Sequence, residues 1–243
     1  MQPVSALLDL RLQRARDLHQ GRIAGPHGER DTCDRWSLRA LCGRLVELVG
    51  GADSANVTAA GRLILQAQAA GDYTAWVATH RDVFFPPDLA AAGIDLDCLP
   101  VVWALPAQQH AVDARPPVSA GAAPEGRPTT ASARPAARAA ERLLRSGAFG
   151  LVVLDLARDL DLDVVSQGRL LRLAESNDAL VLILRRLRAN DCYSGSLIGV
   201  RARSSSERVG PGRFRLTITN TKDKREGPGW TTSEELDGPP GLY

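Results

Sequence analysis

The sequence predicts an α/β protein with a mainly parallel sheet flanked by helices. Three observations support this fold class. Apolar runs of strand length alternate with segments of helical period, the first run ends in a glycine turn, and the last segments alternate with period two. Alternating strands and helices are typical of a parallel sheet with crossover helices. The period-two segments predict antiparallel strands at the edge of that sheet.

The N-terminal part of the chain, residues 1–36, is predicted to be a helix followed by a linker. Leucines in residues 4–19 recur at helical spacing with basic residues between them, which is typical of an amphipathic helix. The next segment, QGRIAGPHGERDT, contains repeated glycine and a proline. This composition favours a linker that leads into the core.

The core is predicted over residues 37–230 as an ordered series of elements. GRLVELVGG is read as a strand and turn, TAAGRLILQAQAAG as a helix, YTAWVAT as a strand, DLAAAGI as a short helix and LPVVWAL as a third strand. The helices ARAAERLLRSG and DVVSQGRLLRLAESN alternate with the strands FGLVVLDLA and ALVLILRRL, and LIGVRARSS and GRFRLTITNTK are the edge strands. Residues 106–135 are predicted to be a mobile surface insertion, and residues 231–243 a C-terminal tail.

Composition excludes several classes of protein. The chain has 243 residues and a formal net charge of +2, so no global field favours a nucleic-acid or membrane partner. Its four cysteines form no C-x-x-C pair and its four histidines do not group with them, so neither a zinc site nor a disulfide framework is predicted. The charged segment MQPVSALLDLRLQRARDL is not expected to be a signal peptide, and the sequence contains no apolar run of about 18 residues, so a cytoplasmic location is expected.

The segment LVGGADSANVT lies where a predicted strand meets a predicted helix, the position of a phosphate-binding loop. In G-x-x-x-x-G-K-[ST], backbone N–H groups surround the phosphates, the lysine neutralises them and the hydroxyl ligates magnesium. Gly50 holds the first glycine position here, but Ala55, Asn56 and Val57 replace the other three functional residues. The segment is therefore predicted to bind no nucleotide. It is either a degenerate phosphate loop or a strand-to-helix turn that never bound phosphate.

Blocks of sequence over residues 41–229 resemble, in order and spacing, the core of the bacterial RecA recombinase. The blocks are GRLVELVGGADSANVTAAGRLILQAQAAGDYTAWVATH, AAAGIDLDCLPVV, RSGAFGLVVLDLA and AESNDALVLILRRLR. The resemblance implies a RecA-like core in which Asp155 is the remnant of the magnesium-associated second motif. It also implies that His80 replaces the water-activating glutamate and that Arg185 replaces the glutamine that senses the γ-phosphate.

A RecA-like core without these groups, together with an N-terminal helix, resembles the ImuA family of SulA-related accessory proteins from bacterial mutagenesis cassettes. The resemblance implies a pseudo-ATPase, without cofactor or metal, that acts in the SOS response and in translesion synthesis at the nucleoid. Its implied partners are ImuB and an error-prone replicative-type polymerase, with RecA as a further candidate. Two other interpretations stay open: a SulA-type inhibitor of FtsZ, and a residual ATPase that uses Asp155 and an unconventional lysine such as Lys222.

A protein without catalytic activity acts by binding, and two sets of residues are predicted to form its binding surfaces. Basic residues on three segments that neighbour one another in a RecA-like sheet predict weak, sequence-independent contact with DNA. They are Arg185, Arg186, Arg188, Arg201, Arg203, Arg208, Lys222, Lys224 and Arg225. Apolar residues near the two ends of the chain are candidates for binding partner proteins, for self-association or, for the leucines, for packing on the chain's own core. They are Leu7, Leu8, Leu12, Trp230, Leu242 and Tyr243.

Overall fold

The computed structural model describes residues 35–51, 54–81, 84–105, 131–158, 160–186 and 195–238. The helices in these ranges are α1 (Leu38–Leu41), α2 (Asn56–Ala70), α3 (Pro86–Ala91), α4 (Arg134–Arg145) and α5 (Val164–Ser176), with a 3₁₀ turn at Leu96–Cys98. The strands are β1 (Arg44–Gly50), β2 (Tyr73–Ala78), β3 (Val101–Trp103), β4 (Ala131–Ser132), β5 (Phe149–Asp155), β6 (Leu160–Asp161), β7 (Leu180–Arg186), β8 (Val200–Gly210), β9 (Arg213–Asp223) and β10 (Thr231–Asp237).

Eight of these strands form one mixed sheet in the order β10-β9-β8-β1-β7-β5-β2-β3. The six strands from β8 to β3 run parallel to one another, whereas β9 is antiparallel to both β8 and β10. The short strands β4 and β6 form a separate parallel pair. The predicted α/β class with a mainly parallel sheet is confirmed, and the architecture is compatible with a RecA-like fold.

Helices cover the central part of the sheet on both faces. Helices α1, α2 and α3 pack on one face, where Leu63 of α2 and Trp76 of β2 belong to the same buried cluster. Helices α4 and α5 pack on the other face, with Leu144 and Leu170 in a second buried cluster. Central parallel strands are buried on both sides, which explains the continuous apolar run at the start of β7 and the mainly apolar β1, in which Arg44 and Glu47 are the charged exceptions.

The ends of the main helices show why the chain changes direction where it does. Helix α2 stops at Gly71, whose φ of 84° is left-handed and whose N–H bonds the carbonyl oxygens of Ala67 and Gln68. Helix α5 begins after Asp163, whose carboxylate accepts a hydrogen bond of 2.7 Å from the N–H of Ser166. Both are local signals that sequence reasoning can read.

Three predicted boundaries need correction. Residues 231–237, expected to be tail, form the edge strand β10, because they pair along their whole length with β9. Residues 131–135, expected to be insertion, contain β4 and the first two residues of α4, while residues 106–130 lie outside the described residues. Trp36, expected to be linker, is buried in the core and donates its indole N–H to the Ala59 carbonyl oxygen at 3.3 Å.

Candidate functional site

The carboxyl ends of the parallel strands bring several sequence-predicted residues to one edge of the sheet. In the strand register, Gly50 lies opposite Arg186, and Asp155 lies opposite both Ala78 and Leu184. Ligands of α/β proteins usually bind at this edge. The loop after β1, His80 after β2, Asp155 at the end of β5 and the backbone of Arg185 on β7 thus lie along this edge.

The loop after β1 is filled by its own side chains. A β-carbon built on Gly50 would lie 1.8 Å from the Ser54 hydroxyl oxygen and 3.0 Å from Oδ1 of Asn56. The hydroxyl of Ser54 also accepts a hydrogen bond from the Asn56 backbone N–H at 3.3 Å. Glycine is therefore required at position 50 by the close approach of Ser54, which occupies space inside the loop.

Asn56, the first residue of α2, ties three strands together. Its side-chain nitrogen donates to the carbonyl oxygens of Leu48 at 3.2 Å and Arg185 at 3.1 Å, and its oxygen accepts from the Ser204 hydroxyl at 2.6 Å. Asn56 is only 6% exposed, so these bonds satisfy groups that water does not reach. The amide holds the ends of β1 and β7 against β8 and the start of α2.

The neighbouring replacements are also accommodated without strain. Ala55 precedes α2 with a φ of −102°, so no left-handed conformation requires a glycine there. Val57 packs its partly buried side chain against the core cluster, which gives this position an apolar role. Thr58 is exposed on the first turn of α2.

His80 and Asp155 form a buried pair at the same edge. Nε2 of His80 lies 3.1 Å from Oδ1 of Asp155, and both residues are buried. Thr79 supports the pair, because its hydroxyl donates to the Asp155 carbonyl oxygen at 3.1 Å and accepts from the Ala157 N–H at 2.7 Å. Oδ2 of Asp155 is buried without a hydrogen-bond partner among the described residues. The His80 imidazole therefore contacts the Asp155 carboxylate directly.

Arg185 points into the protein and is held by acidic side chains. It is 8% exposed, and its Nη1 lies 3.4 Å from Oε1 of Glu47 and 3.3 Å from Oδ1 of Asp161. Glu47, in the middle of β1 and 2% exposed, also pairs with Arg201 of β8. The remaining space beside Glu47 and Arg185 is about 10 Å³, room for one water molecule at most.

This network corrects two DNA-binding predictions. A carboxylate buried in a central strand needs cations beside it, and Arg185 and Arg201 supply them. Their guanidinium groups are therefore engaged inside the molecule.

The other basic candidates are spread along the height of the sheet. Arg186 and Arg203 lie at the carboxyl end of the parallel strands and Arg208 lies beyond it. Lys222 pairs with Arg201 opposite the middle of β1, and residues 223–225 follow toward the opposite, amino end. At that opposite end the Lys224 N–H bonds the Gly199 carbonyl oxygen, just before β8 begins. These basic candidates therefore follow the β8–β9 hairpin from the carboxyl end of the sheet toward its amino end, and the prediction that they form a single basic face stays a prediction. Arg188 lies outside the described residues.

Lys222 and Asp223 are held in place by the surrounding structure. Partial burial, together with the charges of Arg201 and Lys224, lowers the pKa of Lys222, whose amine donates to the Gly195 carbonyl oxygen at 3.4 Å. Asp223 forms a buried ion pair with Arg44. These contacts give Lys222 a structural setting far from Asp155, which disfavours its use as an unconventional phosphate-binding lysine.

Trp230 is part of the core and offers no exposed anchor. It is 8% exposed and lies in the buried cluster on the α2 face, and its indole N–H donates to Oδ2 of Asp223 at 3.5 Å. The prediction of Trp230 as a partner-binding residue is therefore wrong. The other apolar candidates, Leu7, Leu8, Leu12, Leu242 and Tyr243, lie outside the described residues.

Sequence reasoning missed a group of exposed side chains beside this edge. Phe85 and Trp103 are 58% and 45% exposed, and Arg81 and Arg158 are exposed just after β2 and β5. The adjacent aromatic residues in the segment HRDVFFPP were the available signal. Their exposure depends on the pairing of β2 with β3, which the sequence does not specify.

Comparison with known proteins adds no identification at this point. No protein-family model matches the chain, and no curated protein matches it. Among the described residues, no group of three or more histidine, cysteine, aspartate or glutamate side chains is arranged to hold a metal ion. None of the helices in the described ranges is long and apolar enough to cross a membrane.

Proposed function

We propose that this chain is a non-catalytic accessory factor with a RecA-like core. It acts in DNA-damage-induced mutagenesis by binding ImuB, an error-prone polymerase and DNA. Two observations support the proposal. The sequence blocks over residues 41–229 resemble the RecA core in their order and spacing. In the α/β sheet, β1 lies between β7 and β8 and leads into the degenerate loop.

The hydrogen bonding of Asn56 carries the non-catalytic part of the proposal. A phosphate loop needs a free cation and open backbone N–H groups, whereas here Asn56 bonds two backbone carbonyl oxygens and Ser204. Ser54 lies against Gly50 inside the same loop. Micromolar nucleotide affinity requires about 8 kcal/mol of binding free energy, and the helix N-terminus offers only about 1 kcal/mol of it.

A titration with magnesium and ATP tests this part. Isothermal calorimetry on the full chain is expected to show no saturable binding up to about 1 mM nucleotide. A dissociation constant of about 1 mM corresponds to a binding free energy of about 4 kcal/mol. An active phosphate-loop protein in the same buffer is the positive control. Saturable micromolar binding that Asp155→Asn weakens would favour a residual ATPase instead.

Co-purification tests the accessory role. The full chain, carrying an affinity tag, is expected to retain ImuB and the error-prone polymerase when all three are co-expressed, with no added nucleotide. An FtsZ assembly assay is the matched experiment for the SulA-type alternative, and assembly is expected to proceed normally. Failure to retain ImuB, combined with blocked FtsZ assembly, would replace the accessory role by division inhibition.

A further inference from the structure

Aromatic side chains form an exposed patch at the carboxyl ends of β2 and β3. Phe84 lies between Trp76 and Trp103, with ring centroids 5.4 Å and 6.2 Å away, and the contact with Trp103 is edge-to-face. Trp76 is completely buried, so the cluster is anchored in the core. Trp103 and Phe85 remain 45% and 58% exposed, which is unusual for such large apolar groups.

A row of arginines begins beside this patch. The first, Arg81, follows β2, the second, Arg158, follows β5, and the third, Arg186, is the last residue of β7. These three strands are neighbours in the sheet and are spaced about 4.8 Å apart. Arg81 and Arg158 are exposed, and Arg186 is partly exposed. None of the three takes part in the ion pairs found between described residues. Asp82 and Asp159, which follow Arg81 and Arg158 in the sequence, lie outside the described residues.

We propose that Phe85, Trp103, Arg81 and Arg158 form a binding surface for single-stranded nucleic acid. Unstacked bases lie on the faces of Trp103 and Phe85, and the phosphates pass along the arginines toward Arg186. Aromatic platforms beside cationic side chains are the usual means of binding single strands without sequence preference. A duplex presents no free base faces, so the patch favours single strands. The inference rests on the DNA-binding part of the proposed function and assigns it a location.

The four tryptophans provide a direct readout. Trp36, Trp76 and Trp230 are at most 8% exposed, so Trp103 is the one that a solute can reach. An oligothymidylate of about 20 nucleotides, added at about 50 mM salt, is expected to quench the Trp103 emission and to protect it from iodide. In the variant Trp103→Phe this quenching should disappear. Quenching that persists in Trp103→Phe would overturn the assignment.

Affinity measured by fluorescence anisotropy of labelled oligothymidylate separates the two parts of the surface. Phe85→Ala/Trp103→Ala should weaken binding at least about fivefold, the loss expected for one stacked base. Arg81→Gln/Arg158→Gln should weaken it by a similar factor and reduce its salt dependence. The control, Arg142→Gln/Arg172→Gln, removes the same charge from exposed positions on α4 and α5 and should change affinity less than about twofold.

The outcomes distinguish this inference from the proposed function. If the wild type binds oligothymidylate and the patch variants bind equally well, the surface is wrong and the DNA-binding part of the proposed function stands. If the wild type does not bind oligothymidylate at about 50 mM salt, both are wrong. If the patch variants instead lose only a co-purifying protein, the patch is a protein-binding surface and the inference is overturned. Circular dichroism of each variant confirms that it is folded.

Discussion

The hydroxyl of Ser204 on β8 donates a hydrogen bond of 2.6 Å to the side-chain oxygen of Asn56 at the start of α2. The two residues are 148 positions apart in the sequence. The RecA resemblance would place a phosphate-loop lysine at position 56, and the asparagine found there bonds β1, β7 and β8 together. The edge of the sheet where ligands usually bind is closed at this point by the chain itself.

Asn56→Ala is expected to lower the free energy of unfolding by about 2 kcal/mol or more. The substitution leaves the Leu48 and Arg185 carbonyl oxygens and the Ser204 hydroxyl without their partner, and buried unsatisfied groups cost about 1–3 kcal/mol each. Urea unfolding followed by circular dichroism measures the change. Thr58→Ala, at an exposed position two residues later, is the control and should stay within about 0.5 kcal/mol of the wild type. Equal stabilities for the two variants would contradict the bonding role of Asn56.

Glu47→Ala is expected to be strongly destabilising, by about 3–5 kcal/mol. Removing the buried carboxylate leaves Arg185 and Arg201 close together with less negative charge beside them. The matched control is Glu234→Ala, which breaks an exposed ion pair with Arg62 and should cost about 1 kcal/mol or less. Chemical denaturation measures both. If the two variants lose the same stability, the buried network does not support the fold.

The Arg44–Asp223 pair is expected to make stability depend on acid pH. Burial alone would raise the pKa of Asp223, but hydrogen bonds from Arg44 and from the N–H groups of Arg225 and Glu226 hold that pKa below its ordinary value. A depressed pKa in the folded state means that the carboxylate stabilises the fold above about pH 4, and that this contribution is lost as the pH falls through the folded-state pKa.

Asp223→Asn tests this dependence. The difference in the free energy of unfolding between the wild type and this variant should be widest near neutral pH and should shrink below about pH 4. Urea unfolding at a series of pH values measures it. Asp237→Asn, at an exposed position on β10, is the control and should show a small difference at every pH. If the difference in the free energy of unfolding between the wild type and Asp223→Asn stays constant across the acid range, the prediction is contradicted.

The Cys42 thiol is expected to be unreactive in the folded protein. Burial, reinforced by the charges of Asp178 and Asp72, raises the pKa of this thiol to about 12. The thiolate is the reactive form, so at pH 8 only about one thiol in ten thousand is ready to react. A variant that keeps Cys42 as its sole cysteine should react slowly with a disulfide reagent at pH 8 and rapidly in urea.

The same pKa shift has a consequence for stability at high pH. Because the folded state disfavours the thiolate, the stability of this variant should decline as the pH rises above about 8.5, where the unfolded thiol ionises. Replacing Cys42 by serine should remove that decline. Fast labelling of Cys42 in the folded protein would show that its burial is transient.

Local sequence patterns predicted most of the secondary structure. The strand period, the helix period and the turn at Gly71 are set by residues within a few positions of one another, so β1, α2 and β2 follow from short windows. The sequence likewise shows asparagine and valine at positions 56 and 57, where the G-x-x-x-x-G-K-[ST] motif carries lysine and a hydroxyl residue. Strand β10 was missed because TTSEELD is mostly polar, and it becomes a strand only by pairing with β9.

The sequence by itself determined the order of helices and strands and showed which residues stand in the loop after β1, because both are local properties. Only the tertiary structure decided what those residues contact. Glu47 and Arg185, 138 positions apart, meet across adjacent strands, and Ser204 reaches Asn56 through the β8–β1 pairing. The register of the β8–β9 hairpin likewise set where the basic candidates lie, and Trp103 stays exposed beside Ala78 where β3 pairs with β2. Strand neighbours are chosen by long-range burial and hydrogen bonding, which no short window of sequence contains.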